Sequence, residues 1–188
     1  MKFDYKRAIS PLCFRLLWEI IGRSGWIDIY FLPPVSSVLK SLWTMIESGE
    51  IFPHIAASLF RGLTGYVFAT LIGVTLGIAI AYSRVVEYIA DPLIELIRPI
   101  STFALVPLMF VWFGVGNGSN IVLIAKACFF PIVLNTIAGI KGVDTKLIQA
   151  ARSLGAEGLQ LWTHVLIPSA LPMIVTGLRV STAIALLA

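Results

Sequence analysis

The chain is short of charge: of its 188 residues only 13% are Asp, Glu, Lys or Arg, whereas 58% are hydrophobic. Soluble domains carry roughly 25% charged residues, so about half the charge needed to cover a water-facing surface is missing. A soluble enzyme is close to excluded. Cysteine is scarce as well. Cys13 and Cys128 lie far apart in apolar stretches, which excludes a disulfide framework and a cysteine metal site. The two histidines, His54 and His164, each lack a second ligand nearby. No G-x-x-x-x-G-K-[ST] occurs. The glycine-rich Gly114-Val115-Gly116-Asn117-Gly118-Ser119 has no lysine and no preceding strand, and it reads as a turn between apolar segments. The net charge is +4, yet no basic block or aromatic-basic face accompanies it, which argues against nucleic acid.

What the chain has instead is long apolar runs and a mean hydropathy of +0.92. Gly62 to Ser83 is 22 residues without a charge. As a helix it covers about 33 Å, enough for a bilayer core of about 30 Å. Gly65, Ala69, Gly73, Gly77 and Ala81 recur every four residues within it, a smooth stripe that lets membrane helices approach closely. Pro99–Val115 (extended back toward Leu93), Ile121–Ile140 and Ala170–Ala188 are further candidate spans, the last cut short by the chain end. Ala8–Ile29 is a weaker one. Its Arg15, Glu19 and Arg23 form a polar stripe that either packs inward or lies at the interface. Lys2, Lys6 and Arg7 precede this segment, but no cleavage site follows, so it reads as retained.

The expected fold is therefore all-α: a polytopic integral membrane helical bundle with about five spans. Residues 1–61 hold the weak helix and an outer connection, in which Val38, Leu39, Leu42 and Ile46 mark an interfacial amphipathic helix. Residues 62–188 form the core, with 116–120 a tight turn and 141–168 too charged to span. With a cytoplasmic N-terminus the inside collects eight basic residues (Lys2, Lys6, Arg7, Arg84, Arg98, Lys141, Lys146, Arg152) and the outside two (Lys40, Arg61). That asymmetry places the 141–168 loop in the cytoplasm.

The loop reads as a helix–turn–helix. Asp144 is a natural N-cap, Leu147, Ala151 and Leu154 recur at helical spacing, and Gly155 suits a helix end that needs positive φ. A second short helix carries Leu159, Trp162, Val165 and Leu166 on its apolar side and stops at Pro168. Within it, Gln149-Ala150-Ala151, then three residues, Gly155, then nine, and Val165-Leu166-Ile167-Pro168 resemble the E-A-A-x3-G-x9-I-x-L-P signature of ABC importer permeases. The spacing is kept throughout, while Gln149 replaces Glu, Val165 replaces Ile and Ile167 replaces Leu. Gln149 brings no charge, so a salt bridge made by the Glu has no counterpart. Leu32-Pro33-Pro34, Leu96-Ile97-Arg98-Pro99-Ile100, Pro107-Leu108, Trp112-Phe113-Gly114, Phe129-Phe130-Pro131, Asn135-Thr136 and Thr176-Gly177-Leu178-Arg179 are similar to the nitrate/sulfonate/taurine/bicarbonate branch of that family.

The resemblance implies a bacterial inner-membrane transporter subunit that is not itself an enzyme and holds no cofactor. ATP is bound by separate cytoplasmic ATPase subunits that seat on the loop. A second permease copy forms a homodimer, an extracytoplasmic substrate-binding protein delivers solute, and the solute is a small anion such as a sulfonate, nitrate or taurine. Family members continue to a further helix, so the resemblance also implies a C-terminally truncated permease. A non-transporting membrane scaffold and an inactive fragment are the rival readings. Lys126 and Arg179 sit inside candidate spans, where a charge costs on the order of 2.5–3.5 kcal/mol. Either they line an anion pathway, or they snorkel, pair with Glu19, or bond to carbonyls freed by Pro131 and Pro172. Asn135 is expected to hydrogen-bond between helices.

Overall fold

The computed structural model describes residues 5–24, 28 and 30–187, with side chains for 11, 13–24, 28 and 30–187. Among these the chain is helical, with no strand. The order is α1 (Tyr5–Arg23), α2 (Val35–Glu47), α3 (Ile51–Tyr82), α4 (Arg84–Ile97), a 3₁₀ turn (Phe103–Leu105), α5 (Val106–Phe113), α6 (Asn117–Lys141), α7 (Thr145–Ser153), α8 (Gly158–Leu161), a π turn (Trp162–Leu166) and α9 (Ile167–Leu187). Two compact units are present, Met1–Ala56 and Ala57–Ala188.

In the first unit the polar stripe of α1 has a partner. Glu19 accepts hydrogen bonds from the Ser36 hydroxyl (2.7 Å), the Ser36 backbone N–H (3.0 Å) and Arg23 Nε (2.6 Å). Ser36 lies in the first turn of α2, whose leading N–H groups lack intrahelical acceptors, so the carboxylate caps α2 from outside. Trp18 Nε1 donates to the Pro33 carbonyl (3.1 Å). The Ser36 hydroxyl, then its backbone N–H, then Arg23 hold the Glu19 carboxyl well below its usual range, at about 2. The stretch expected as Ala8–Ile29 is helical to Arg23, while residues 25–27 and 29 lie outside the described residues, as does Ala188.

Among the described residues three helices are long and apolar enough to cross a membrane: Ile51–Tyr82, which begins in the first unit and lies mostly in the second, Asn117–Lys141, and the continuous run Gly158–Leu187. Of the stripe expected on the first, Gly65, Ala69, Gly73 and Gly77 are buried and Ala81 is half-buried, with Gly62 buried beside them. A Cβ on Gly65 would stand 2.9 Å from the Ile121 carbonyl, one on Gly73 2.9 Å from Ile132 Cγ2, and one on Gly77 2.7 Å from Thr136 Cβ. Backbone meets helix directly there. Ascending numbers on α3 meet ascending numbers on α6, so the two helices run parallel. Residues 83–116 must then carry the chain back to the start of α6. They do so as a broken segment, α4, a turn and α5, rather than as the unbroken span expected over Pro99–Val115. Phe103–Phe113 alone is shorter than a span.

α9 packs antiparallel on α6. Cys128 and Ser181 exchange contacts, with Ser181 Oγ donating to the Cys128 carbonyl at 2.9 Å. Cβ atoms on Gly177 and Gly139 would meet Asn135 Cβ at 2.7 Å and Met173 Cβ at 2.8 Å. Cys128, Ile132, Val133 and Ala170 are fully buried in the resulting core.

Three expectations need correction. Gly62 is not the start of the first long helix; it begins at Ile51, because Pro53 falls in the first turn, where its missing N–H costs no bond. The turn expected at 116–120 lies at 114–116, with Gly114 at φ +73°, and Asn117 already opens α6. Among the described residues Asn135 makes no bond across helices: its Nδ2 donates to the Pro131 carbonyl one turn earlier in its own helix at 2.7 Å, so the donor is satisfied locally.

Candidate functional site

The Lys141 end of α6 and the start of α9 at Ile167 carry the 142–166 loop, beside the Tyr82 end of α3. Asp144 caps α7 as expected, its carboxylate accepting from the Lys146 N–H at 2.8 Å. The other end closes by two reciprocal bonds. Gly155 N–H reaches the Arg152 carbonyl (2.9 Å) and Ala156 N–H the Ala151 carbonyl (3.0 Å), with Gly155 at φ +85°. This is the 5→2 and 6→1 pattern of a Schellman ending, which needs a residue in the left-handed region. Gly155 therefore terminates α7 and turns the chain. Gly158, at φ +49°, makes the second bend into α8.

Of the signature residues, Gln149, Ala150, Gly155 and Pro168 are exposed; Ala151, Val165 and Ile167 are half-buried. The bends leave large apolar side chains in the open: Leu154 is 89% exposed and Leu159 75%. Nothing stands within 4 Å of a Cβ on Gly155 or Gly158, so the turn is free on its outer side.

Pro168 does not end a helix. The preceding turn widens to π geometry over Trp162–Leu166 and the helix runs on through Leu187. A proline lacks the N–H that would bond four residues back, and its ring collides with that carbonyl. A π turn absorbs both faults without breaking the rod. Trp162 in this turn packs edge-on against Tyr82, ring centroids 5.0 Å apart, and against the buried Ile140, Ala170 and Ile174. Leu161 and Leu166 are buried beside it. The loop thus leaves the core on one side through Lys141, whose Nζ pairs with Glu87 at 2.6 Å. It re-enters on the other through a rigid, aromatic-anchored helix.

The structure separates the two intramembrane cations. Lys126 Nζ donates to the Ile100 carbonyl in the break between α4 and α5 and lies 5.8 Å from the Phe130 ring centroid. Backbone groups at a break inside a membrane must find partners, and this lysine supplies one. Among the described residues of its own unit it is not bonded at the Pro131 or Pro172 sites. Arg179 is exposed. It lies about 180° around α9, at 100° per residue, from the buried Ala170, Ile174, Gly177 and Ser181. It makes no hydrogen bond or ion pair among the described residues. On α6, Lys126 is likewise about 180° from Cys128 and Asn135, which face α9. The two cations do not converge. The Ile100 partner of Lys126 was not readable in the sequence, since the break at Pro99–Ser101 appears only once the return segment is folded.

Residues 69–188 match the sequence model of the binding-protein-dependent transport system inner membrane component, and the chain belongs to that family. It is 35% identical over 180 residues to an aliphatic sulfonates transport permease protein of Bacillus subtilis, covering 96% of this chain and 65% of that protein. It is 41% identical over 169 residues to the taurine transport system permease protein of Escherichia coli (87% and 62%). An ABC transporter permease protein of Methanocaldococcus jannaschii is 40% identical over 184 residues (93% and 67%). The chain thus spans under two thirds of the length of the sulfonate and taurine relatives.

Proposed function

We propose that this chain is the membrane-spanning subunit of an ABC importer that carries a small organic anion of the sulfonate or taurine kind inward. The energy comes from ATP hydrolysed by separate cytoplasmic subunits. The observation that carries the reading is the 144–161 projection, which is capped at both ends, exposes Leu154 and Leu159, and is fixed to the core by Trp162. An ATPase gripping this projection pushes on a continuous helix, so a displacement passes into α9 rather than being lost in a slack linker. Gln149, Ala150, Ala151 and Gly155 form its contact side, with Val165, Ile167 and Pro168 at its junction to α9. Alternating access requires a partner that contacts the two states differently, and nucleotide-driven motion of the docked ATPase supplies that difference. A second permease copy and an extracytoplasmic binding protein complete the assembly, with the N-terminus and the projection on the cytoplasmic side. Arg179, unpaired on the outward face of α9, is the cation assigned to the pathway; Lys126 is committed to the Ile100 carbonyl.

The test is Leu154→Arg in cells that depend on the importer for a sulfonate sulfur source. Leu154 is almost fully exposed, so the bundle stays folded, while uptake falls at least tenfold and the ATPase no longer co-purifies. Wild-type uptake by this variant sinks the docking assignment.

A further inference from the structure

At the end of the core opposite the projection, α3, α6 and α9 do not close fully on one another and leave a cavity of about 390 Å³. Its polar groups come from all three helices: Ser58, Arg61 and Tyr66, then Asn120, then Thr182. Its apolar wall includes Leu63, Ile124 and Leu186.

The hydrogen-bonding of these groups is incomplete in one direction. Arg61 Nη2 donates to the Ser58 hydroxyl at 3.2 Å, a neutral partner, and no acidic residue is among the described residues lining the cavity. The Tyr66 hydroxyl reaches the Leu178 carbonyl only at 3.4 Å, long for an O–H donor. The Asn120 amide makes no hydrogen bond among the described residues. Thr182 has given its proton to the Leu178 carbonyl at 2.9 Å. The cavity therefore presents a guanidinium with no counter-ion among the described residues, an amide whose N–H donors are unused there, and a phenol whose one proton is only weakly held by a carbonyl, beside an apolar wall. An oxyanion satisfies the donors; a bare inorganic anion leaves the apolar wall wet, and a pure hydrocarbon leaves Arg61 unpaired. The volume lies within the usual range for small-molecule sites, roughly 300–1,000 Å³.

We infer that this cavity binds an oxyanion carried on a short apolar chain, the head at Arg61, Asn120 and Tyr66 and the tail along Leu63, Ile124 and Leu186. This rests on the importer reading, to which it adds the place where solute is first held and the two-part chemistry by which it is held. Arg61 has no part in the coupling projection and lies in a different helix from Arg179. A membrane lipid offers the same chemistry, an anionic headgroup above an acyl chain, and the experiment separates the two sources.

The complete transporter is placed in phosphatidylcholine nanodiscs and titrated calorimetrically with 1-butanesulfonate, with sulfate and butanol as half-ligands. Saturable binding of butanesulfonate is expected, with both half-ligands far weaker. Arg61→Gln weakens it about tenfold or more, as loss of a charge-assisted hydrogen bond does, and Arg61→Lys recovers part. Asn120→Asp also abolishes it, and folding is not at risk because a carboxylate suits the first turn of α6. Equal affinity in phosphatidylglycerol discs supports the solute. Loss of binding there overturns the solute assignment in favour of a lipid headgroup. No binding in phosphatidylcholine, or unchanged affinity in Arg61→Gln, overturns the site itself. Parallel uptake assays keep the two claims apart: ATP-dependent anion uptake with an empty cavity breaks this inference alone. Butanesulfonate binding without any ATP-dependent uptake breaks the importer reading alone.

Discussion

Replacing Gly73 by alanine tests how tightly the parallel helices are seated. A methyl there would stand 2.9 Å from Ile132 Cγ2 and 3.2 Å from Ile132 Cβ, with the Phe129 carbonyl at 3.5 Å. Carbon atoms prefer about 3.5–4.0 Å, so either Ile132 or the helix axis must give. Overpacking of this kind costs about 1–3 kcal/mol, offset by the roughly 0.5–1 kcal/mol that alanine gains over glycine within a helix. A net loss of up to about 2.5 kcal/mol follows. Ile132 is fully buried, so Ile132→Ala costs about 2–5 kcal/mol through its cavity. Together the two changes relieve each other: the new methyl occupies space that the isoleucine has left. The double variant is expected to be about 1–2 kcal/mol more stable than the sum of the singles. Unfolding in mixed micelles, followed by tryptophan fluorescence, gives all four corners of the cycle. Gly118→Ala, with nothing within 4 Å of its Cβ, is the control and should be neutral or slightly stabilising. Additivity within about 0.3–0.5 kcal/mol would refute direct contact between Gly73 and Ile132, and with it the stripe as the seat of α6.

Lys126→Met leaves the Ile100 carbonyl without its donor and should destabilise the bundle by about 1–3 kcal/mol, while Lys126→Arg retains most of the stability. Full stability of the methionine variant contradicts the bracing role. Gly155→Val forces a β-branched residue into the left-handed region, at a cost of at least about 1–2 kcal/mol. It should fray the end of α7, seen as faster amide exchange at Gly155 and Ala156; Gly155→Asn should exchange almost as slowly as wild type. The Glu19 carboxyl is held at about 2 in the folded chain against an ordinary 4.5. Its contribution is therefore complete above about pH 4.5 and lost as pH falls toward 2. Exchange of the Ser36 amide should accelerate over that window, and in Glu19→Gln it should be fast at every pH; a protection factor that ignores both changes removes the external cap.

The residues that were legible in the sequence share one property: their signal is local. The Gly65-to-Gly77 stripe, the Asp144 cap and the Gly155 ending each act within a turn or two of helix, and each stands where its pattern put it. What was hidden depends on packing between distant segments. The stop expected at Pro168 fails because that proline is absorbed by a widened turn, whereas the chain breaks after Arg98 instead. Exposed residues such as Phe68 and Leu71 are as apolar as the buried Ile80 and Ile132, so hydrophobicity alone does not say which face of a long helix is inside. The Lys126–Ile100 contact and the Arg61–Asn120–Thr182 cavity join residues 26 to 121 positions apart, a relation no periodicity encodes.

The π turn at Trp162–Leu166 has a bearing on how the chain tolerates insertions and deletions. It stores one surplus residue at a fixed address between projection and core. Deleting a single residue there would restore ordinary winding and leave both flanks in register, whereas a deletion in the regular part of α9 would swing everything before it by about 100° around the helix axis. A one-residue deletion in the exposed turn at 155–157 moves nothing in the core. The π turn therefore frees the bearing of the projection from the residue count at one point, and one-residue length differences among related chains should fall in the exposed turn at 155–157 or within the five residues that follow Leu161, not in the regular part of α9.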